Sequence, residues 1–311
     1  MKPLFTVFTP THNRAHLIGR LYESLKRQTC QDFIWQIIDD GSTDNTSEIV
    51  QGFISDGILR IDYHYIENGY LHLASKLSSQ ITTTKYIIRQ DDDDVFPDHA
   101  LSRFLEEWVK IENEGKKDIG EIRALSIRED GTISGVYQPQ VGQPSIDTTY
   151  LEVHLNRKTQ LENISCWKTE VWRQLFKGDE DKWLYNEVTY ISDSIFWLRM
   201  SRICRSRYIF EPLRIYYDTP VSLMHSFFHK NKKHLINSVF SSYVELNENQ
   251  DCYYKYPKYF LIGLVVYEVY GIRLHFPFWK LLLTLDSLLA RFLFLILYIP
   301  AWVYSKSIIT E

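Results

Sequence analysis

Three short polar clusters hold most of the groups in this sequence that could do chemistry. The first is Asp91-Asp92-Asp93-Asp94, which follows directly on the apolar run Tyr86-Ile87-Ile88. Four adjacent carboxylates repel one another unless a cation lies among them, and hard oxygen ligands of this kind suit Mg²⁺ or Mn²⁺. Such an ion keeps some waters and takes its remaining ligands from a substrate diphosphate. Taken alone, the tetrad also reads as a solvated acidic turn ahead of a helix that starts near Pro97. The second cluster is Asp39-Asp40-Gly41-Ser42-Thr43-Asp44. Gly41 permits a tight turn, and Thr43 and Asp44 suit helix capping. Asp40 is left over, a carboxylate able to accept the imide proton of a uracil ring. The third cluster, Thr9-Pro10-Thr11-His12-Asn13-Arg14, offers hydroxyl, amide and guanidinium groups able to line a nucleoside and its phosphates.

The elements that must carry these clusters follow from the apolar pattern. Runs rich in strand formers at 4–8, 33–38, 59–66 and 86–88 alternate with helical stretches at 17–28, 43–53 and 71–81. Strands alternating with helices predict an α/β fold with a mostly parallel sheet flanked by helices. In such sheets ligands gather at the carboxyl ends of strands, where all three clusters fall. Further on, 97–111 predicts a helix and 110–117 a charged linker. A hairpin through Asp130-Gly131 joins 123–128 to 133–137. Helices are expected over 167–176 and 193–204, and a strand pair over 208–217 interrupted by Pro212.

Composition narrows the function. With 35 Lys plus Arg against 39 Asp plus Glu the net charge is -4, which gives no basic field to hold nucleic acid. The four cysteines lie far apart with no C-x-x-C pair, which fits a reduced cytoplasmic compartment better than zinc or a redox couple. No G-x-G-x-x-G, Walker A or G-x-S-x-G motif supports a dehydrogenase, P-loop NTPase or serine hydrolase. His225, His229 and His234 lack the carboxylate pattern of a zinc helix and fit a partly exposed soluble helix. Near the C-terminus the apolar runs 259–267 and 292–304 each fall short of the ~20 residues that span a bilayer. Trp279, Tyr298, Trp302 and Tyr304, with Lys280 and Lys306 at the edges, suit a helix lying on a membrane surface. A packed helical hairpin, a contact within a homodimer and one kinked span near Pro300 remain alternatives.

The combination resembles a known family. Phe5 to Arg14 is similar to the opening strand and T-P-T-Y-N-R loop of inverting family-2 glycosyltransferases of the GT-A fold, with His12 where Tyr is usual. Ile37 to Asp44 resembles the D-D-G-S-x-D turn, and Tyr86 to Asp94 resembles the strand and D-x-D-D metal site. Asn68, Gly69 and Ala74 match the family's N-G-G-x-x-x-A-x-N segment, whereas Tyr70 and Lys76 depart from it. Ile191 to Arg199 resembles the segment in which an acidic residue opens a helix bearing a Trp four positions later. The resemblance implies nucleotide binding by Thr9, Pro10, Thr11, Asn13, Arg14, Asp40, Asn68, Asp91 and Asp92. It further implies a Mn or Mg ion on Asp91 and Asp93, and Asp193 as catalytic base, with Glu187 and Asp181 as rivals. Glu211 to Tyr217 also resembles family sequence, with no role derivable from it.

The expected organisation is a nucleotide-sugar-binding half over 1–115, an acceptor-binding half over 116–225 and a helical C-terminal extension over 226–311. The expected activity moves a sugar, of hexosyl type, from a nucleotide-sugar to a hydroxyl of a glycan or lipid-linked oligosaccharide acceptor with inversion. The donor is expected to be a UDP-sugar, and the setting surface polysaccharide synthesis on the inner face of the cell membrane. Two rivals are weighed against it: a membrane-docked nucleotide-sugar-binding scaffold without turnover, and a nucleotidylyltransferase. The second lacks its usual glycine-rich loop, since residues 9–14 contain no glycine.

Overall fold

The computed structural model describes residues 3–67, 70–134, 144–156, 162–176, 178–217 and 231–307. The chain divides into two compact units, Met1–Lys177 with Arg199–Thr219, and Gly178–Leu198 with Pro220–Glu311. In the first unit one sheet contains β1 (Phe5–Thr11), β2 (Phe33–Asp39), β3 (Ile61–Tyr65), β4 (Tyr86–Arg89), β5 (Ile119–Arg128), β6 (Ser145–Thr148), β7 (Asn163–Lys168) and β8 (Arg205–Tyr216). Their order across the sheet is β3-β2-β1-β4-β7-β5-β8-β6. The first four strands are parallel, β7 runs antiparallel to both neighbours, and β5 and β8 are parallel. This is the mostly parallel, helix-flanked sheet that the sequence pattern predicts.

Helices α1 (Ala15–Lys26), α2 (Thr46–Asp56), α3 (Leu71–Ile81) and α4 (Ala100–Asn113) connect or follow the parallel strands, as the periodicity predicts. Every residue of β1 is buried, which requires cover on both faces of the sheet. On one face Phe5 and Val7 join Ile18, Leu21 and Leu25 of α1 and Phe104, Trp108 and Ile111 of α4 in a single core. Trp108 stacks on Tyr86 with ring centroids 4.7 Å apart. That core holds the strand ends in fixed register, so the loops leaving β1, β2 and β4 start from rigid points.

The chain beyond α4 departs from the sequence pattern in four places. Trp167 lies in β7, and the helix α6 (Thr169–Leu175) starts two residues later than expected. Residues 208–216 belong to one strand rather than a pair, with register shifts against β5 around Pro212, whose missing N–H breaks the ladder locally. In the expected hairpin, Ile133 makes an isolated bridge to Ile127, and 135–137 lie outside the described residues. The fourth difference is at the C-terminus. The second unit contains α8 (Lys232–Glu248), α9 (Pro257–Arg273), α10 (Phe278–Leu283) and α11 (Leu288–Ser307). Helix α11 runs unbroken through Pro300, so the expected short apolar run is a helix of 20 residues, long and apolar enough to cross a membrane. Its buried residues, Ala290, Phe294, Ala301 and Ser305, lie on one side, and the rest is largely exposed. His225 and His229 lie outside the described residues, and His234 sits in the first turn of α8, its backbone N–H capped by Asn231 Oδ1 at 2.9 Å. The remaining helices, α5 (Tyr150–Asn156) and α7 (Asp193–Ile203), flank β7 and β8 in sequence.

Candidate active site

Three loops leave the carboxyl ends of β1, β2 and β4 and are tied to one another by side chains. At the end of β2, Asp39 is buried and spends both oxygens on building the turn. Its Oδ1 accepts from the Ser42 N–H at 2.8 Å and its Oδ2 from the Tyr63 hydroxyl at 2.8 Å. Gly41, at φ 80°, turns the chain where a side chain would be strained. Asp40 behaves differently: its Oδ1 is buried and accepts no hydrogen bond among the described residues. Burial pushes the Asp40 carboxyl up to about 6, with His12 opposing and Asp39 adding to the shift. An acceptor desolvated in advance and left open is the feature a ligand N–H needs.

The loop after β1 works partly as scaffold. The Thr9 hydroxyl accepts from Trp35 Nε1 at 3.0 Å within the core, and Pro10 is buried in the strand. Asn13 adopts φ 53°, and its Oδ1 accepts from the backbone of Thr43 at 2.7 Å and of Asp44 at 3.2 Å. Its own N–H donates to Ser42 Oγ at 2.8 Å. Asp44, one residue before the N-cap of α2, accepts from the Thr46 N–H at 3.0 Å and from the Ala15 N–H at the start of α1 at 3.1 Å. The first and second loops are thus one hydrogen-bonded assembly. Thr11 and Arg14 point the other way, into the acidic tetrad.

Exposure alternates along that tetrad. Asp92 and Asp94 keep 7% and 1% of their side-chain surface, whereas Asp91 and Asp93 keep 43% and 17%. Asp92 accepts from Thr11 Oγ1 at 2.7 Å, and Asp94 accepts from the Tyr217 N–H at 3.0 Å and lies 3.6 Å from Arg214. Burial pushes both of these carboxyls up to about 7. Arg14 pairs with Asp93 at 2.6 Å, and Arg89 lies 3.5 Å from Asp91. Arg20 donates to the Asp93 carbonyl at 2.6 Å and stacks 3.6 Å over the Tyr217 ring. The tetrad is therefore two buried carboxylates that fix the turn and two more exposed ones that each face an arginine.

Among the described residues, no three Asp, Glu, His or Cys side chains converge as a complete metal cage. Asp91 and Asp93, the more exposed pair, are the carboxylates that could take an ion bringing its own waters, as Mg²⁺ and Mn²⁺ do. Asn68 and Gly69 lie outside the described residues. In the second unit Asp193 is the first residue of α7 and partly exposed, whereas its rivals Glu187 and Asp181 are exposed. Sequence reasoning missed Arg20, Arg89 and Arg214. It also left 211–217 without a role, and the structure supplies one: Arg214, Tyr217 and the Val95 to Ile215 bridge buttress the acidic turn.

Comparison with known proteins fits this geometry. The Glycosyl transferase family 2 model matches residues 6–116, which contain all three loops. Over those residues the chain is similar to family 2 glycosyltransferases. It is also similar to "Chondroitin synthase" from Pasteurella multocida (strain Pm70), at 24% identity over 210 residues, 66% of this chain and 20% of that protein. The chain thus spans about a fifth of the length of that relative. Among solved structures, S. aureus TarS 1-349 in complex with UDP-GlcNAc shares the fold at TM-score 0.57 and 14% identity, over 98% of this chain and 79% of that one. The mannosyltransferase PcManGT from Pyrobaculum calidifontis, in complex with GDP-Man and Mn2+, aligns at TM-score 0.52 and 14% identity, over 98% and 84%.

Proposed function

We propose that the protein transfers a sugar from a UDP-sugar to a hydroxyl of a glycan or lipid-linked acceptor, inverting the anomeric carbon, in synthesis of a cell-surface polysaccharide. The observation that carries the donor reading is the open, buried oxygen of Asp40, on a loop that Asn13 ties to the loop reaching the tetrad. In this reading the uracil N–H donates to Asp40, and Thr11, Arg14 and Asp92 border the path from nucleoside to diphosphate. Asn68 completes the nucleotide pocket by its resemblance to family sequence. Asp91 and Asp93 would hold Mn²⁺ or Mg²⁺, which supplies charge neutralisation for the leaving diphosphate. Structures of proteins with the same fold in complex with UDP-GlcNAc, or with GDP-Man and Mn2+, support a nucleotide-sugar and a divalent ion here.

Asp193 is the base. Its carboxylate takes the proton of the acceptor hydroxyl, and that oxygen bonds to the anomeric carbon on the face opposite the diphosphate. The bond from that carbon to the diphosphate oxygen breaks, and the nucleoside diphosphate leaves with the electron pair. Residues 1–115 serve the donor, 116–225 the acceptor, and 226–311 form the helical extension.

A membrane-surface location on the cytoplasmic side is part of the same proposal. On α11, Leu288, Phe292, Leu295, Ile296, Ile299 and Val303 are each more than half exposed, and Lys306 lies over the Trp302 ring at 3.5 Å. Apolar residues with a basic, aromatic end suit a helix lying among headgroups, which would present a lipid-linked acceptor. The test is release of UDP from UDP-GlcNAc, UDP-glucose, UDP-galactose and UDP-glucuronate with Mn²⁺, Mg²⁺ or EDTA. Consumption of one donor that stops with EDTA supports the proposal. Absence of any uridine nucleotide binding overturns its donor half.

A further inference from the structure

The helical extension contains a polar arrangement that nucleotide binding does not use. Two side chains of α8, Asn237 and Glu245, lie two turns apart and reach the segment that leads into α7. Asn237 Oδ1 accepts from the backbone N–H of Thr189 at 3.0 Å and of Tyr190 at 3.3 Å, and its Nδ2 donates to Thr189 Oγ1 at 3.0 Å. Glu245 Oε1 accepts from Ser194 Oγ at 2.5 Å, and its Oε2 accepts from the Tyr259 hydroxyl of α9 at 2.9 Å. Ser192 and Ser194 share a further hydrogen bond at 2.6 Å. Ile191 and Ile195 are buried at 3% and 1% exposure. Every residue around Asp193 in this segment is therefore fixed by a hydrogen bond or by packing, while Asp193 itself stays partly exposed.

We infer that Glu245 is a positioning residue for the catalytic base: through Ser194 it sets the start of α7 and with it the direction of the Asp193 carboxylate, with Asn237 fixing the approach. The inference rests on the reading of Asp193 as base. A helix start needs no distant carboxylate, since Ser192 can serve the free N–H groups of α7. Glu245 also bears a cost, because burial pushes its carboxyl above the usual carboxylate range while Ser194 and Tyr259 pull it back. A carboxylate desolvated to hold two hydroxyls, one of them next to the base, is the supporting layer that a proton-transfer group requires. The helical extension accordingly takes part in catalysis as well as in location.

The experiment uses the full chain and whichever UDP-sugar of the panel turns over. Glu245→Gln is expected to keep the dissociation constant for UDP and the donor KM within about twofold, and to lower kcat by about 10- to 100-fold. The acidic limb of the kcat pH profile, where a catalytic base takes up a proton and activity falls, is expected to move with it. Adding Ser194→Ala to Glu245→Gln is expected to cost less than the sum of the two single losses, because they share one bond. Wild-type kcat in Glu245→Gln overturns the inference, as does a loss that only tracks the fraction of folded protein. Asp193→Asn separates the two readings. If it retains activity, the base assignment has failed. If it is inactive while Glu245→Gln is fully active, only the positioning role has. Hydrogen exchange needs no turnover: Glu245→Gln should lose amide protection over 189–195 and keep it over β1 to β4, and unchanged protection over 189–195 overturns the inference.

Discussion

Asp40→Asn tests the donor site at a single atom. In the proposed reading a ligand N–H meets, in the wild type, a carboxylate oxygen that is already desolvated and already open. A hydrogen bond to a charged group is worth about 1.5–3 kcal/mol, and the amide can still turn its neutral oxygen to the ligand. The expected loss is therefore about 1–2 kcal/mol, a roughly 5- to 30-fold rise in dissociation constant. Uridine is the right probe, because without a diphosphate it ignores the tetrad, and titration followed by NMR or calorimetry suits its weak binding. Burial pushes the carboxyl up to about 6, so it is the ionised acceptor above that pH and a neutral acid below. Wild-type affinity should be full near pH 7.5 and fall by up to about tenfold per unit below pH 6, while the Asn variant stays flat. Equal uridine affinity in the two proteins, or a wild-type affinity that does not change between pH 5 and 7.5, would refute the reasoning.

Two further outcomes follow from the second unit. Glu268 in α9 is 0% exposed, both its oxygens lack hydrogen-bond partners among the described residues, and burial pushes it up to about 8. The folded state therefore holds this proton more tightly than the unfolded chain. The stabilisation is complete below the ordinary Glu value near 4.5 and is lost as pH rises through about 8. Between pH 5 and 8 the fold should lose on the order of 3 kcal/mol from this group, and Glu268→Gln should remove that slope in urea unfolding; an identical slope contradicts the assignment. On α11, Leu295→Glu with Ile299→Glu should abolish sedimentation with anionic liposomes and leave uridine binding unchanged. Liposome binding that survives both charges would move the membrane contact elsewhere.

The first four strands and helices were legible because β1, β2 and β4 are largely apolar runs of strand formers, β3 alternates apolar and polar residues, and each helix shows its 3.6-residue stripe. In their loops Asp40 stands out because Gly41, Thr43 and Asp44 already account for a turn and a cap, whereas Asp91 and Asp93 are singled out by the resemblance to the D-x-D-D segment. Beyond α4 that logic fails. Strand β7 carries Trp167 and Cys166 into the centre of the sheet with a period that a short helix start imitates. Pro212 signals an interruption, yet β8 absorbs it by shifting register against β5. Helix α11 contains a proline that sequence rules treat as a stop, and its cost is borne within an otherwise strongly helical run. Glu245 and Asn237 were invisible, since a lone polar residue on an amphipathic helix gives no sign of what it meets. Arg214 was visible only as part of a segment without a role, because its partner Asp94 lies far away in the chain.

The account stands on a division of labour in which Asp91 and Asp93 serve the ion and the diphosphate while Asp193 serves the acceptor proton. Its most direct test measures UDP binding and UDP-sugar turnover in parallel for the wild type, Asp91→Ala and Asp193→Asn, with and without Mn²⁺. The account predicts that Asp91→Ala loses both the Mn²⁺-dependent part of UDP affinity and turnover, whereas Asp193→Asn binds UDP with Mn²⁺ like the wild type and turns over at least a hundredfold more slowly. Wild-type turnover in Asp193→Asn, or turnover that persists undiminished in EDTA, would contradict it.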